Sequence, residues 1–185
     1  MNHYIKFFIL FLLISFLGMS CKDSPTATTA TSTVQFSIPN STEQVVMTHP
    51  DGAHKYSVFT DDSTKKKVAE IEFHPNGQPK IHKHFENEVL NGESWCYYAD
   101  GKPWSLNTFK DGVYHGAYKT WHDNGQLNID GHYENGKESG EWFTYYSNGM
   151  LNTRGIYSEG QKTGVWSSYN LEGTLRKEQD FSVKK

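Results

Sequence analysis

A chain of 185 residues has length for one domain or an extended repeat array. Hydrophobic residues make up 36%, below the roughly 45–50% of compact globular domains, a figure that also counts Gly. Aromatics reach 15%, which suits shallowly buried β-structure better than a thick Leu/Ile core. With 18 Lys and Arg against 21 Asp and Glu, a net charge of −3 and no basic stripe, the sequence argues against nucleic acid and against peripheral binding to anionic lipid.

The N-terminus has the pattern of an export signal. Lys6 supplies the positive charge, and Phe7 to Leu17 (FFILFLLISFL) is an apolar run broken only by Ser15. That run is too short for a membrane span, which needs ~20 residues. Small residues and a cysteine follow in LGMSC, ending at Cys21. The segment resembles the lipobox of bacterial lipoproteins, where the peptidase cuts before a diacylated cysteine. Ser20 fits that pattern, whereas Gly18 stands where the family prefers Leu, with Leu17 one place further back. The alternatives are an ordinary cleaved signal peptide and an uncleaved anchor. The resemblance implies removal of residues 1–20, a lipid on Cys21, and membrane attachment through that lipid. Lys22, rather than Asp, follows the cysteine, which by the same resemblance implies the outer membrane, facing the periplasm or the cell surface. Removing residues 1–20 takes away Lys6 alone and moves the charge from −3 to −4.

Residues 21–33 form the lipidated cysteine and a tether, because SPTATTATST carries no charge and no periodicity. In residues 34–72, VQFSI, EQVVM and YSVF have the composition of short strands between the turn signals PNS, HPDG and TDDS. HPDG is similar to HPNG at 74–77 but one step of 25 away. We therefore take 49–72 as a degenerate cap, since terminal repeats of arrays are atypical.

Residues 73–181 are periodic, followed by a tail at 182–185. Steps of 24 connect Gly77, Gly101, Gly125, Gly149 and Gly173. A second column is Gly92, Gly116, Gly140 and Gly164, and a third is Gly112, Gly136 and Gly160, with Glu88 the one departure. Aromatic columns keep the step: Phe73, Tyr97, Trp121, Tyr145, Tyr169; then Phe85, Phe109, Tyr133, Tyr157, Phe181; then Ser94, Tyr118, Trp142, Trp166. Each unit is expected to be a hairpin. Steps such as Asn124-Gly125 and Asn148-Gly149 should supply positive φ at its tip, and a longer glycine-flanked loop such as ENGKESG should lead to the next unit. If Asn148-Gly149 is a two-residue turn, Trp142 lies opposite Gly155 and Tyr118 opposite Gly131, each ring covering a glycine. If the turn is one residue longer, Tyr145 meets Leu151 instead.

YENGKESG and YSEGQKTG fit the aromatic-x-x-Gly-x-x-x-Gly signature, and the array resembles the MORN repeat in the variant common in bacterial proteins. The resemblance implies an all-β, elongated antiparallel β-meander of tandem hairpins, about 4–5 repeats long. It also implies a scaffold or binding role. Some bacterial members carry an antitoxin label, which nothing in this sequence independently supports.

Chemistry-bearing residues are sparse. His82 and His84 share a strand face, but His74 and His122 are separated by Tyr98 in their column, and His84 and His132 by Thr108. A zinc site needs three or four converging ligands, so solvated strand histidines and no metal or cofactor are the expectation. Glu93 and Glu141 are likewise separated by Ala117. No nucleophile elbow, zincin or phosphate-loop motif occurs, so the chain is taken as a non-enzyme, with a hydrolase of unrecognised site as the competing class. If Cys21 is acylated, Cys96 has no partner and is a small core-facing residue, like Thr120, Thr144 and Ser168 in its column. Rings that break the repeat are the binding candidates: Trp95 and Trp104 first, with Tyr98 and Tyr114. A protein partner is the leading expectation, and envelope glycan or murein on the aromatic face is the second. Hairpin register and oligomeric state are left open.

Overall fold

The computed structural model describes residues 37–182. The signal sequence, Cys21, the tether and most of the VQFSI segment lie outside them. The described chain is all-β and forms one antiparallel sheet of thirteen strands. In chain order these are β1 (Ser41–Thr48), β2 (His54–Asp61), β3 (Lys67–Phe73), β4 (Pro79–Glu86), β5 (Val89–Tyr97), β6 (Pro103–Lys110), β7 (Val113–Trp121), β8 (Leu127–Glu134), β9 (Lys137–Glu138), β10 (Gly140–Tyr145), β11 (Leu151–Ser158), β12 (Gln161–Tyr169) and β13 (Leu175–Asp180). Each strand on the path pairs with its chain neighbours. β9 and β10 both pair with β8, on either side of a kink at Ser139 and Gly140. The sheet is open, with β1 and β13 at its edges.

Two turn types alternate, and at Asn148-Gly149 the longer of the two lengths that the sequence leaves open is the one formed. At the Asn148-Gly149 step, Gly149 N–H donates to Tyr146 O and Tyr146 N–H donates to Met150 O. This is a three-residue loop, Ser147 to Gly149. Gly149 alone takes positive φ, at 83°, the pattern of a type I turn closed by a left-handed glycine. Asn148 keeps negative φ. Gly77, Gly101, Gly125 and Gly173 repeat this arrangement with φ of 80–88°. The two-residue turns with both residues at positive φ sit instead where a longer loop was expected: Asn135-Gly136 at 49° and 81°, Asp111-Gly112 at 51° and 79°, Glu159-Gly160 at 51° and 79°. The segment ENGKESG is thus a tight turn followed directly by strand.

Both expected registers coexist because each hairpin contains a bulge. Trp142 pairs with Gly155 and Thr144 with Thr153, then the register slips so that Tyr145 pairs with Leu151. One repeat earlier Tyr118 pairs with Gly131, and after the same slip Trp121 pairs with Leu127. Residues 49–73 continue the sheet with the same tip, since His49 N–H donates to Ala53 O and Gly52 N–H to His49 O. Its return turn is longer, and Asp61 closes it by accepting from Ser63 and Thr64.

The alternation of side chains gives the sheet two faces. One carries a row running through Ile71, His82, Trp95, Leu106, Lys119 and Asp130, then on through Phe143 and Arg154. Its N-terminal part is the core: Phe59, Ala69, Ile71 and Phe73 are buried together, with Ile38 packed against them. Its C-terminal part is charged and exposes Ile156 and Val165. The other face carries the columns of Tyr133 and of Trp142.

Candidate functional site

On the second face the rings do not stack column on column. They interleave as a zigzag spine through Tyr114, Tyr133, Trp142, Tyr157 and Trp166, with successive centroids 5.0–5.4 Å apart. Tyr118 joins it, 5.5 Å from both Tyr133 and Trp142. Burial within this spine pushes the Tyr133 hydroxyl up to about 12. The rings that cover glycines differ from the pairing partners. A Cβ placed on Gly131 would stand 2.5 Å from the Trp142 indole, and one on Gly155 would stand 2.1 Å from that of Trp166. Each indole is fixed by its own N–H, from Trp142 to His132 O and from Trp166 to Ile156 O, both 3.2 Å. The covering ring therefore comes from the following strand rather than from the hairpin mate.

The three-residue tips hold a feature that sequence reasoning missed. His74 Nε2 lies 3.0 Å from Tyr97 O, the Tyr98 hydroxyl donates to Trp121 O at 3.0 Å, His122 Nε2 lies 2.9 Å from Tyr145 O, and the Tyr146 hydroxyl donates to Tyr169 O at 2.9 Å. His and Tyr alternate in one column because both reach the next repeat with a polar hydrogen. His74 is 4% exposed, which corrects the expectation of solvated strand histidines. Beside this ladder, Asn76 and Asn124 donate from Nδ2 to Ala99 O and Ser147 O, both at 2.6 Å, and each accepts on Oδ1 from the backbone two residues on. Asp100 in that column has no side-chain hydrogen to give. Lys102 replaces it, donating to Asp123 O at 3.2 Å and pairing with the Asp100 carboxylate at 2.9 Å. Burial pushes Asp100 up, but the hydrogen bonds and charge of Lys102 outweigh it, so the carboxyl ends below its ordinary value.

The four candidate binding rings do not gather at one place. Tyr98 belongs to the tip ladder and Tyr114 to the spine, where its ring lies 4.5 Å from Phe109. Trp95 is half-buried on the other face, stacked at 5.8 Å on Trp121 and at 6.1 Å on Tyr97, and its indole donates to Glu93. Trp104 is half-buried on β6, at the bulge where that strand slips against β5. Beyond them, on the Trp95 face, a shallow groove of about 390 Å³ runs between Phe143, Arg154, Ile156, Val165 and Glu178.

Among the described residues no three His, Cys, Asp or Glu converge as metal ligands would. His82 and His84 have ring centroids 4.4 Å apart. Burial first, then the neighbouring His84, push His82 down to about 4. Cys96 is fully buried on β5.

Three stretches match the MORN repeat variant: residues 68–87, 114–135 and 138–159. Each is one strand, a three-residue tip and the returning strand, so the MORN-variant unit is the hairpin described above. A search of curated proteins returns no match. Among solved structures, similarity extends to a variant of S. aureus TarM in complex with Fondaparinux, alpha-GlcNAc-glycerol and UDP. That match has 15% identity and a TM-score of 0.28, covering 68% of this chain and 21% of that one. A second TarM crystal structure matches at 14% identity and a TM-score of 0.27, covering 67% and 21%. The chain thus spans about a fifth of the length of these proteins, and likeness at that level carries no argument about activity.

Proposed function

We propose that this protein is a non-enzymatic scaffold, lipid-anchored through Cys21 to a bacterial outer membrane, whose MORN-variant sheet binds a protein partner. The observation that carries the reading is the Trp95–Trp121–Tyr97 stack. It is half-buried on a sheet face, and Trp95 shares its column with Lys119, Phe143 and Ser167 rather than with a ring in every repeat. The Trp95–Trp121 contact joins two repeats, but the spine and the tip ladder supply the cohesion that recurs along the array, and Trp95 adds its ring at one place only. Large rings that are partly desolvated before binding are typical anchors of protein interfaces. Trp104, on the adjacent strand, extends the same argument.

Pull-down from an envelope extract tests the binding. Trp95→Ala and Trp104→Ala, matched to wild type for folding, should each lose the partner that wild type retains. Equal recovery of every partner would remove both assignments. The anchor has a separate test: Cys21→Ser should release the protein from membranes. The chain has two cysteines, and one sulfur cannot carry both a thioether lipid and a disulfide. Intact mass before and after reduction distinguishes them: a lipid adds mass that reduction leaves in place, whereas a chain whose mass changes only by the two hydrogens gained on reduction contradicts the lipid. Binding of envelope glycan by the aromatic spine is the second reading, favoured by the contiguity of its rings. An envelope-polymer retention assay addresses it.

A further inference from the structure

The last hairpin departs from its predecessors on the spine face. Where earlier units have Leu90, Tyr114 and Glu138 in one column, it has Lys162, and where they have Ser105, Ile129 and Thr153 in another, it has Lys177. The Lys162 ammonium stands 4.2 Å over the Trp166 ring and 5.6 Å from that of Phe181, so two aromatic rings hold it in place. Lys177 reaches toward the Gln179 side chain at 3.4 Å. Both lysines line a groove of about 130 Å³ that has Trp166 and Phe181 as its apolar walls and contains no carboxylate. None of the ion pairs among the described residues involves either lysine. Two cations outside the ion pairs of the described residues, in a chain of net charge −3, are a local reversal of sign, and Thr153, Ser168 and Gln179 add hydroxyl and amide groups around them.

We infer that this groove, at the end of the spine and separate from the Trp95 face, binds an acidic saccharide, an inference that rests on the glycan reading of the spine and gives it a site and a charge. The Phe181 wall takes the C–H face of a sugar, Thr153, Ser168 and Gln179 exchange hydrogen bonds with its hydroxyls, and Lys162, seated on the Trp166 ring, neutralises its acid group together with Lys177. The preceding hairpin is a built-in contrast. It keeps the aromatic pair as Trp142 and Tyr157 but has Glu138 in place of Lys162, Thr153 in place of Lys177 and Gly155 in place of Gln179. It therefore offers the rings without the charge or the amide.

Titration of the purified full chain with trigalacturonate tests the site, read by the indole N–H resonances. The Trp166 signal should shift, with those of Trp95 and Trp104 unmoved. Lys162→Glu and Lys177→Glu, each checked for an unchanged circular dichroism spectrum, should weaken binding at least tenfold, and the methyl ester of the same trisaccharide should bind at least tenfold more weakly. No shift at Trp166, or equal affinity in the glutamate variants, overturns the site. Inorganic phosphate binding as tightly as trigalacturonate overturns the saccharide and leaves a bare anion site.

Discussion

Gly131 and Gly155 show what a single residue does in this sheet. Neither has positive φ; each is a glycine because an indole lies on it. Gly155→Ala forces the Trp166 ring off its seat and breaks its bond to Ile156 O, costing ~1–3 kcal/mol as overpacking does. Urea midpoints measure this, and an unchanged midpoint would contradict the close approach. Glu88 presents the opposite case. It holds φ of 67° in a column otherwise of glycine, so Glu88→Gly should stabilise by ~1 kcal/mol by relieving left-handed strain, and a loss of stability would contradict it. His82 sets a pH dependence. Its folded value of about 4 lies below the ~6.5 of an unfolded histidine. The unfolded state therefore binds the proton first as pH falls. Stability present above pH ~6.5 should decline toward pH ~4, by ~3 kcal/mol at most. His82→Gln should flatten that slope, and an identical slope in the variant would rule His82 out as its source.

At the scale of the hairpin, the spacing of glycines and aromatics made the unit legible, but it did not reveal which turn was which. Asn-Gly favours a two-residue turn by propensity, and Asn135-Gly136 forms one. At Asn124 and Asn148 the side chain is instead engaged by its neighbours, accepting from its own turn and donating to the next. The competing principle is satisfaction of backbone carbonyls along the tip edge, which no single repeat displays. The alternation of His74, Tyr98, His122 and Tyr146 was visible in the sequence. It became meaningful once each was seen to serve the carbonyl 23 residues on. Asn124→Asp should therefore destabilise by ~1–3 kcal/mol, because a carboxylate would face the Ser147 carbonyl without a hydrogen to give. Restoring a donor with Gln126→Lys, in the manner of Lys102, should recover part of the loss. No loss in the single variant would show that the ladder contributes nothing.

For the whole molecule, the 24-residue period predicted a meander, and the sheet is one. The sequence did not reveal that the Trp95-face row grades from buried Ile71 and Leu106 to the Lys119–Asp130 ion pair and the exposed C-terminal residues. Which residues share that row depends on bulges that only the structure locates. Because each hairpin contacts its neighbours, stability should vary along the array. Amide exchange should be slowest in β3 to β6, around Ile71, Ser94, Cys96 and Leu106, and fastest in β13, whose six residues are all exposed. Uniform exchange would point instead to a single cooperative unit. The candidate binding rings were legible as breaks in the repeat, yet Tyr98 and Tyr114 are taken up by the tip ladder and the spine, while Trp95 sits in a half-buried stack on the other face. The most direct test of a protein-binding scaffold is quantitative pull-down from an envelope extract with wild type, Trp95→Ala and a Tyr146→Phe control on the opposite logic. The account predicts a partner retained by wild type and by Tyr146→Phe and lost with Trp95→Ala; recovery of the same proteins in equal amounts by all three would contradict it.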